Sequence, residues 1–420
     1  MSPQQSGVSA AEIAAAYDAA TPALGAGHAL EARLIGAGAY ARRLAAARDA
    51  AEAAGLDALL IGFGADMRYL TGYAAPALER LTMLVVPVRG EPSLIVPRLE
   101  AGMAGDAPAM RGGHVARVAW GETDDPFALV ATAVRAGARV GTAPISVAVS
   151  DRLWASFVLR LDAALAAGGA AAPTRLASSV LSAIRMVKAP EEAALLRAAG
   201  RAVDSVVLAI TRGKLLGRSE SDVAREVRER LTGAGHEVAS FAIVASGPNS
   251  ASPHHEAGPR TIEAGDAIVL DIGGQFGGYG SDTTRTIWVT GRGGAVPPSA
   301  DFVRRYDLVK RANAAATAAA KPGVSCEAVD AAAREVIVAG GEGERFFHRT
   351  GHGIGLEEHE DPYIVAGNRT KLEPGHAFSI EPGIYLEGTN GARIEDIVIC
   401  TASGVEQLNT TSRELYVVEG

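Results

Sequence analysis

Apolar positions recur at helical spacing over residues 40–54 and stop at Gly55, which predicts an amphipathic helix closed by a glycine. The apolar run 58–62 that follows reads as a buried strand. Residues 81–88 and 93–97 read as a strand pair, separated by the turn residues Arg89, Gly90, Glu91 and Pro92. Residues 139–141 and 147–149 add further strand signals, and 150–167 a helical one. This alternation predicts an α/β domain over residues 31–172. The small residues 168–173 mark its end, and 173–188 is expected to be a linker.

A second domain is expected over 189–420. Its start at Ala189-Pro190-Glu191-Glu192 places proline in the first helical turn and two acids at the positive end of the helix dipole. From there two helices precede a strand region, and two more helices precede another. Ser219-x-x-x-Val223 with Arg-Glu-Val at 225–227 lies over Ser325-x-x-x-Val329 with Arg-Glu-Val at 334–336, given a small gap. The match fits an internal duplication, and it also fits a coincidence between two amphipathic helices.

Composition narrows the function classes. Hydrophobic residues make up 48% of 420 and charged residues 21%, enough apolar side chains for two or more cored domains. A net charge of −8 argues against a nucleic-acid surface, which needs clustered positive charge. No uninterrupted apolar stretch is long enough for a membrane span, so no membrane partner is expected. Residues 2–27 hold Glu12 and Asp18 but no Lys or Arg, unlike an export signal, and 1–30 reads as a flexible extension. Two cysteines, Cys326 and Cys400, give no disulfide framework, so a cytoplasmic enzyme is expected.

The chemistry is concentrated in the second domain. Residues 266–289 read as a hairpin around a glycine-rich turn, with Asp271 and Asp282 near the ends of its strands. Aspartate is disfavoured in strands, and two acids facing one core repel each other unless a cation lies between them. His352 stands between glycines, where a backbone can approach closely, in His348-Arg-Thr-Gly-His352-Gly-Ile-Gly-Leu-Glu-Glu-His359. Glu381 closes the apolar run 377–380 before Pro382-Gly383. Glu395 lies in the strand-like run 392–400 on the face of Ile397 and Ile399, where an unpartnered acid is unfavourable. Four carboxylates and one imidazole suit two hard or borderline divalent ions, Mn²⁺ first and Co²⁺ or Zn²⁺ as alternatives. Hydrolysis is the natural reaction for such a pair.

The strings SDTTRT, GHGIGLEEHE, SIEPGIY and GARIEDIV, in this order, resemble the pita-bread metallopeptidases, the family of prolidases, aminopeptidases P and methionine aminopeptidases. The likeness spans residues 31–417 and is nearest to the bacterial Xaa-Pro peptidases. It implies an α/β (α+β) chain: a creatinase/prolidase-like N-terminal α/β domain followed by a pita-bread catalytic domain. Asp271 would bind the first metal, Asp282 and Glu395 would bridge both, and His352 and Glu381 would bind the second. Glu381 would also handle the proton of the attacking water. His254 matches the histidine that contacts substrate at the scissile bond, with His255 as the neighbouring alternative. His359 matches a second histidine near the reacting carbon. Arg393 resembles a substrate-side arginine, or it orients Glu395. Such enzymes are commonly homodimers.

The resemblance also implies the substrate, a dipeptide or oligopeptide cut in front of proline. Proline's tertiary amide lacks an N–H, so a dedicated enzyme grips the ring by shape. Phe378, Tyr385 and the neighbours of His254 are candidates for that contact, although the aromatic residues equally fit core packing. An Xaa-Pro dipeptidase (prolidase) is the reading taken, with aminopeptidase P and a non-catalytic binding protein as alternatives. Asp66, Arg68 and Arg80 are the polar N-terminal residues considered as reaching a neighbouring site.

Overall fold

The computed structural model describes residues 26–139 and 144–419. The flexible extension expected over 1–30 falls mostly outside them, as do residues 140 and 141 of an expected strand. The described residues form two compact units, Ile35–Arg185 and a second made of Ala26–Leu34 with residues 186–419. In that second unit Ala26–Leu34 is a helix.

The first unit is built on one mixed sheet. Its strands are β1 (Ala58–Ile61), β2 (Met83–Pro87), β3 (Ser93–Pro97), β4 (Ala116–Trp120), β5 (Val147–Val149) and β6 (Arg175–Leu176), in the order β4-β3-β2-β1-β5-β6. The first four residues of the apolar run 58–62 form β1, whose residues are all fully buried, as a strand with neighbours on both edges requires. The helix Ala37–Ala53 precedes it and stops as the sequence predicts, with Gly55 in the left-handed region at φ 73°. Leu60, Val85, Ile95, Val130, Val134 and Leu161 are among the side chains of its core. The segment read as a linker is structured: β6 joins this sheet, and Ser178–Met186 is a helix. Asp66 and Arg80 are committed within this unit, Asp66 to Arg185 at 2.7 Å and Arg80 to Glu100 at 2.8 Å.

The second unit repeats one pattern twice. The helices Pro190–Arg212 and Glu220–Gly233 lead into β7 (Val238–Ser246), β8 (Ala267–Phe276) and β9 (Tyr279–Val289). The helices Ala300–Ala319 and Cys326–Ala339 lead into β10 (Gly351–Gly353), β11 (Glu360–Ile364), β12 (Ala377–Ile380), β13 (Gly383–Leu386), β14 (Asn390–Arg393), β15 (Asp396–Cys400) and β16 (Val405–Gln407). A last strand, β17 (Tyr416–Val418), runs parallel to β9 and completes the sheet β17-β9-β8-β7. The other strands form the sheet β11-β10-β12-β15-β16 and the hairpin β13-β14.

The correspondence extends to detail. Ser219 and Ser325 stand at equivalent helix N-termini, and each makes an isolated bridge, to Thr261 and to Lys371. From those partners the chain runs Thr-Ile-Glu-Ala-Gly-Asp-Ala267 in one half and Lys-Leu-Glu-Pro-Gly-His-Ala377 in the other. Four residues after each of these alanines comes an acid, Asp271 on β8 and Glu381 just past β12. Duplication accounts for this shared framework; two unrelated amphipathic helices do not.

Candidate metal centre

The two aspartates sit inside their strands rather than at the ends. In the β8-β9 ladder Asp271 pairs with Thr284, and Asp282 with Gly273, so the hairpin brings both acids to one region. The ladder continues through Gly273, Gly274 and Gly280, and the turn shrinks to Gly277 and Gly278, at φ 60° and 76°. Glu395 stands in a break between β14 and β15 instead of within one strand. Its N–H donates to the Thr284 carbonyl at 3.1 Å, and Thr284 Oγ1 donates to Glu395 Oε2 at 2.7 Å. The glycines around His352 are needed for close approach: a Cβ on Gly351 would strike the Ser379 carbonyl, and one on Gly353 the Asp361 carbonyl.

His352 Nε2 lies 3.6 Å from Asp282 Oδ2, 3.5 Å from Glu381 Oε1 and 3.9 Å from Glu395 Oε1. One donor atom from each of Asp282, His352 and Glu395 falls within 4.8 Å of the others. The Gly353 carbonyl accepts from His352 Nδ1 at 3.1 Å, which leaves Nε2 with a free lone pair toward the acids. Burial drives the His352 pKa down to about 3, so the ring is neutral.

The acids are held against their own repulsion. Burial, then the charges of Glu395, Asp271 and Glu381, push the Asp282 carboxyl well above the usual range. Burial and the neighbouring acids raise Glu395 in the same way. Glu381 is pushed up to about 7, chiefly by burial, with Arg393 opposing. Asp271 Oδ1 and Asp282 Oδ1 are buried and accept no hydrogen bond among the described residues. Orphaned buried carboxylate oxygens beside a neutral imidazole lone pair fit divalent cations, which would neutralise the cluster and fill those positions.

All eight residues singled out in the sequence line one pocket of about 490 Å³: His254, Asp271, Asp282, His352, His359, Glu381, Arg393 and Glu395. His254 faces it, whereas His255 turns away and bonds Glu220 Oε2 at 2.8 Å. The His359 ring lies over His352, with centroids 3.9 Å apart. Arg393 bonds Asp271 Oδ2 at 2.6 Å and reaches Glu395 only through Thr284, at 3.1 Å. Phe378 is fully buried in the core of this unit, while Tyr385 accepts from Arg393 Nη1 at 2.8 Å.

The structure adds residues that sequence reasoning left without a role. Phe241, Ile243, Phe347, His348 and Arg349 line the pocket. The Arg349 carbonyl accepts from His348 Nδ1 at 2.7 Å, so Tyr385 OH donates to His348 Nε2 at 3.0 Å. Arg285, from the SDTTRT string, is fully buried behind the centre. It donates to the Glu395 carbonyl at 2.7 Å and to Asp396 Oδ1 at 2.7 Å. His348 opens the histidine string that carries His352, and Arg285 lies within SDTTRT, which were the signals available.

Buried acids and an imidazole gathered on a duplicated α/β scaffold define a metal-dependent hydrolase. Residues 194–402 match the model of metallopeptidase family M24, and residues 43–187 match the creatinase/prolidase N-terminal domain. The protein named "Probable dipeptidase PepE" of Mycobacterium tuberculosis is 46% identical over 381 residues, covering 90% of this chain and 96% of the relative. The crystal structure of dipeptidase PepE from Mycobacterium ulcerans superposes with a TM-score of 0.83 at 45% identity, covering 91% of this chain and 99% of that one. The Xaa-Pro dipeptidase of Lactobacillus helveticus is 33% identical over 355 residues, 83% of this chain and 92% of the relative. The chain belongs to metallopeptidase family M24. Among the described residues no helix is long and apolar enough to cross a membrane.

Proposed function

We propose that the protein is an Xaa-Pro dipeptidase that hydrolyses the bond before proline with two divalent ions, Mn²⁺ in the first place. The observation that carries this is the convergence of Asp271, Asp282, His352, Glu381 and Glu395 on one pocket, with orphaned oxygens on both aspartates. Likeness to a protein named Xaa-Pro dipeptidase over most of both chains supports the substrate class. In this reading Asp271, Asp282, His352, Glu381 and Glu395 would hold the ions, Asp271 on one side of the cluster, His352 and Glu381 on the other, and Asp282 and Glu395 shared by both. Ions held there supply Lewis-acid activation of the water and of the amide carbonyl.

The chain's own groups do the rest. Glu381, at the pocket beside His352, is placed to take the proton of the attacking water and pass it to the leaving nitrogen. His254 and His359, exposed at the pocket, are placed to hydrogen-bond a substrate near its scissile bond. Arg393 holds Asp271 from behind while lining the same pocket. We take the enzyme to be a cytoplasmic homodimer, which a solution mass of twice 43.0 kDa would support.

Hydrolysis of Ala-Pro beside Ala-Pro-Ala, with Mn²⁺ and an Asp282→Ala control, tests the reading. Cleavage of the dipeptide alone is expected. Release of Ala from the tripeptide would instead assign an aminopeptidase P. Cleavage of neither peptide, or a control as active as wild type, would overturn the proposal.

A further inference from the structure

One fully buried carboxylate outside the metal centre organises the loop that delivers His254. Glu220 opens the helix Glu220–Gly233 and is 0% exposed. Its Oε1 accepts from the Ser246 amide at 2.8 Å, the Ser246 hydroxyl at 2.7 Å and Asn249 Nδ2 at 3.0 Å. Its Oε2 accepts from His255 Nε2 at 2.8 Å and from the Gly258 amide at 3.2 Å. These donors span residues 246–258, so the whole loop after β7 wraps around a single side chain. Burial pushes the Glu220 carboxyl up, but the bonds from Ser246, His255 and Asn249 outweigh it and hold the group ionised. An ionised carboxylate only accepts, which fixes the proton on His255 Nε2.

The opposite side of the loop is tied to the site. Arg393 Nη2 donates to the Pro253 carbonyl at 3.3 Å, and the Gly391 amide donates to Ser250 Oγ at 2.9 Å. His254 lies between these two anchorages, beside Pro253, which the β14 side holds, and His255, which Glu220 holds. Residues Ser252 to His255 form a turn closed by the His255 amide on the Ser252 carbonyl at 3.2 Å, with His255 bonded to Glu220 and His254 facing the pocket, so holding His255 holds the turn that presents His254. A side chain working on a bound substrate needs this support, because a displacement of about 1 Å at a reacting group lowers rate by about 100-fold.

We infer that Glu220, acting through His255, is a positioning residue that sets the place of the His254 imidazole for the reaction. The inference rests on the Xaa-Pro hydrolase reading for its kinetic consequence only. His255→Leu removes the donor while leaving Glu220 in place, and His255→Gln restores one. On Ala-Pro, His255→Leu is expected to lower kcat/KM about tenfold, mainly in kcat and with bound metal unchanged. His255→Gln should recover to within about threefold, and Glu220→Gln, where it folds, should resemble His255→Leu. In a His254→Ala background the effect of His255→Leu should vanish, because the group being positioned is gone.

A second readout needs no turnover. The chain has nine histidines, few enough to resolve the imidazole signals of ¹⁵N-histidine-labelled protein, and His255→Leu should shift those of His254. Equal losses in both backgrounds, or unmoved His254 signals, overturn the inference. If wild-type enzyme leaves Ala-Pro intact, the substrate reading fails and the imidazole signals alone decide on Glu220: shifted signals support it and unshifted ones overturn it.

Discussion

Arg393 donates to Asp271 Oδ2 at 2.6 Å while its other nitrogens reach Tyr385 at 2.8 Å and Thr284 at 3.1 Å. One guanidinium thus ties β8 and β9 to the β13-β14 hairpin immediately behind the acids. A lysine offers one point charge where three directions are used. Arg393→Lys is expected to lower kcat/KM on Ala-Pro by roughly 100-fold, about 2.7 kcal/mol, and to weaken metal binding. Kinetics at saturating Mn²⁺ together with a metal titration check both effects.

The repulsion among the buried acids predicts an unusual response to metal removal. Stripping the ions with a chelator should lower the Tm of wild-type protein, since the ions bind the folded state only. Asp282→Asn or Glu395→Gln should do the reverse in the metal-free protein, because each replaces a carboxyl whose ionisation is opposed by burial and by its neighbouring acids. A rise of about 2–4 °C per kcal/mol relieved is expected, with the metal-induced gain abolished. Calorimetry with and without chelator measures it. A metal-free variant no more stable than wild type would contradict the electrostatic account.

Arg285 and Asp396 form a buried ion pair at 2.7 Å, and Arg413 adds a second contact to Asp396 at 2.6 Å. Removing Arg285 leaves the buried Asp396 to Arg413 alone and strips a donor from the Glu395, Thr411 and Ser412 carbonyls. Arg285→Met is therefore expected to destabilise by roughly 3–5 kcal/mol, read by urea unfolding. It should also reduce metal affinity, since the same guanidinium holds the Glu395 carbonyl.

Stability should depend on Glu220 in a definite pH window. Its folded pKa lies below the ordinary 4.5, so its contribution is complete above the unfolded value and disappears as pH falls through the folded one. The stability gap between wild type and Glu220→Gln should be widest near neutral pH and shrink below about pH 4. Urea titrations of both proteins across that range test the sign. A gap that grows on acidification would refute it.

Much of this molecule was legible in order of sequence. Burial of contiguous apolar runs placed β1, β2 and β3, and the glycine stop at Gly55 held, because these depend on local pattern and backbone freedom. The acids and histidines of the site were also visible, since polar residues in apolar strands need a physical reason to be there. The limits were equally local. A run of nine residues, 392–400, looked like one strand, but the chain breaks at Glu395, where Thr284 of a distant strand takes its backbone and its carboxylate. Nor could spacing tell His254 from His255, or find Asp271 as the partner of Arg393.

What the sequence by itself determined is which residue types were available, and which local conformations they favour. What only the tertiary structure decided is who meets whom: His255 with Glu220, Arg285 with Asp396, and Asp271 and Glu381 at equivalent places in two halves. Those pairings form between residues far apart in the chain, where burial removes water and a charge must find a specific partner. No periodicity along the sequence records that requirement.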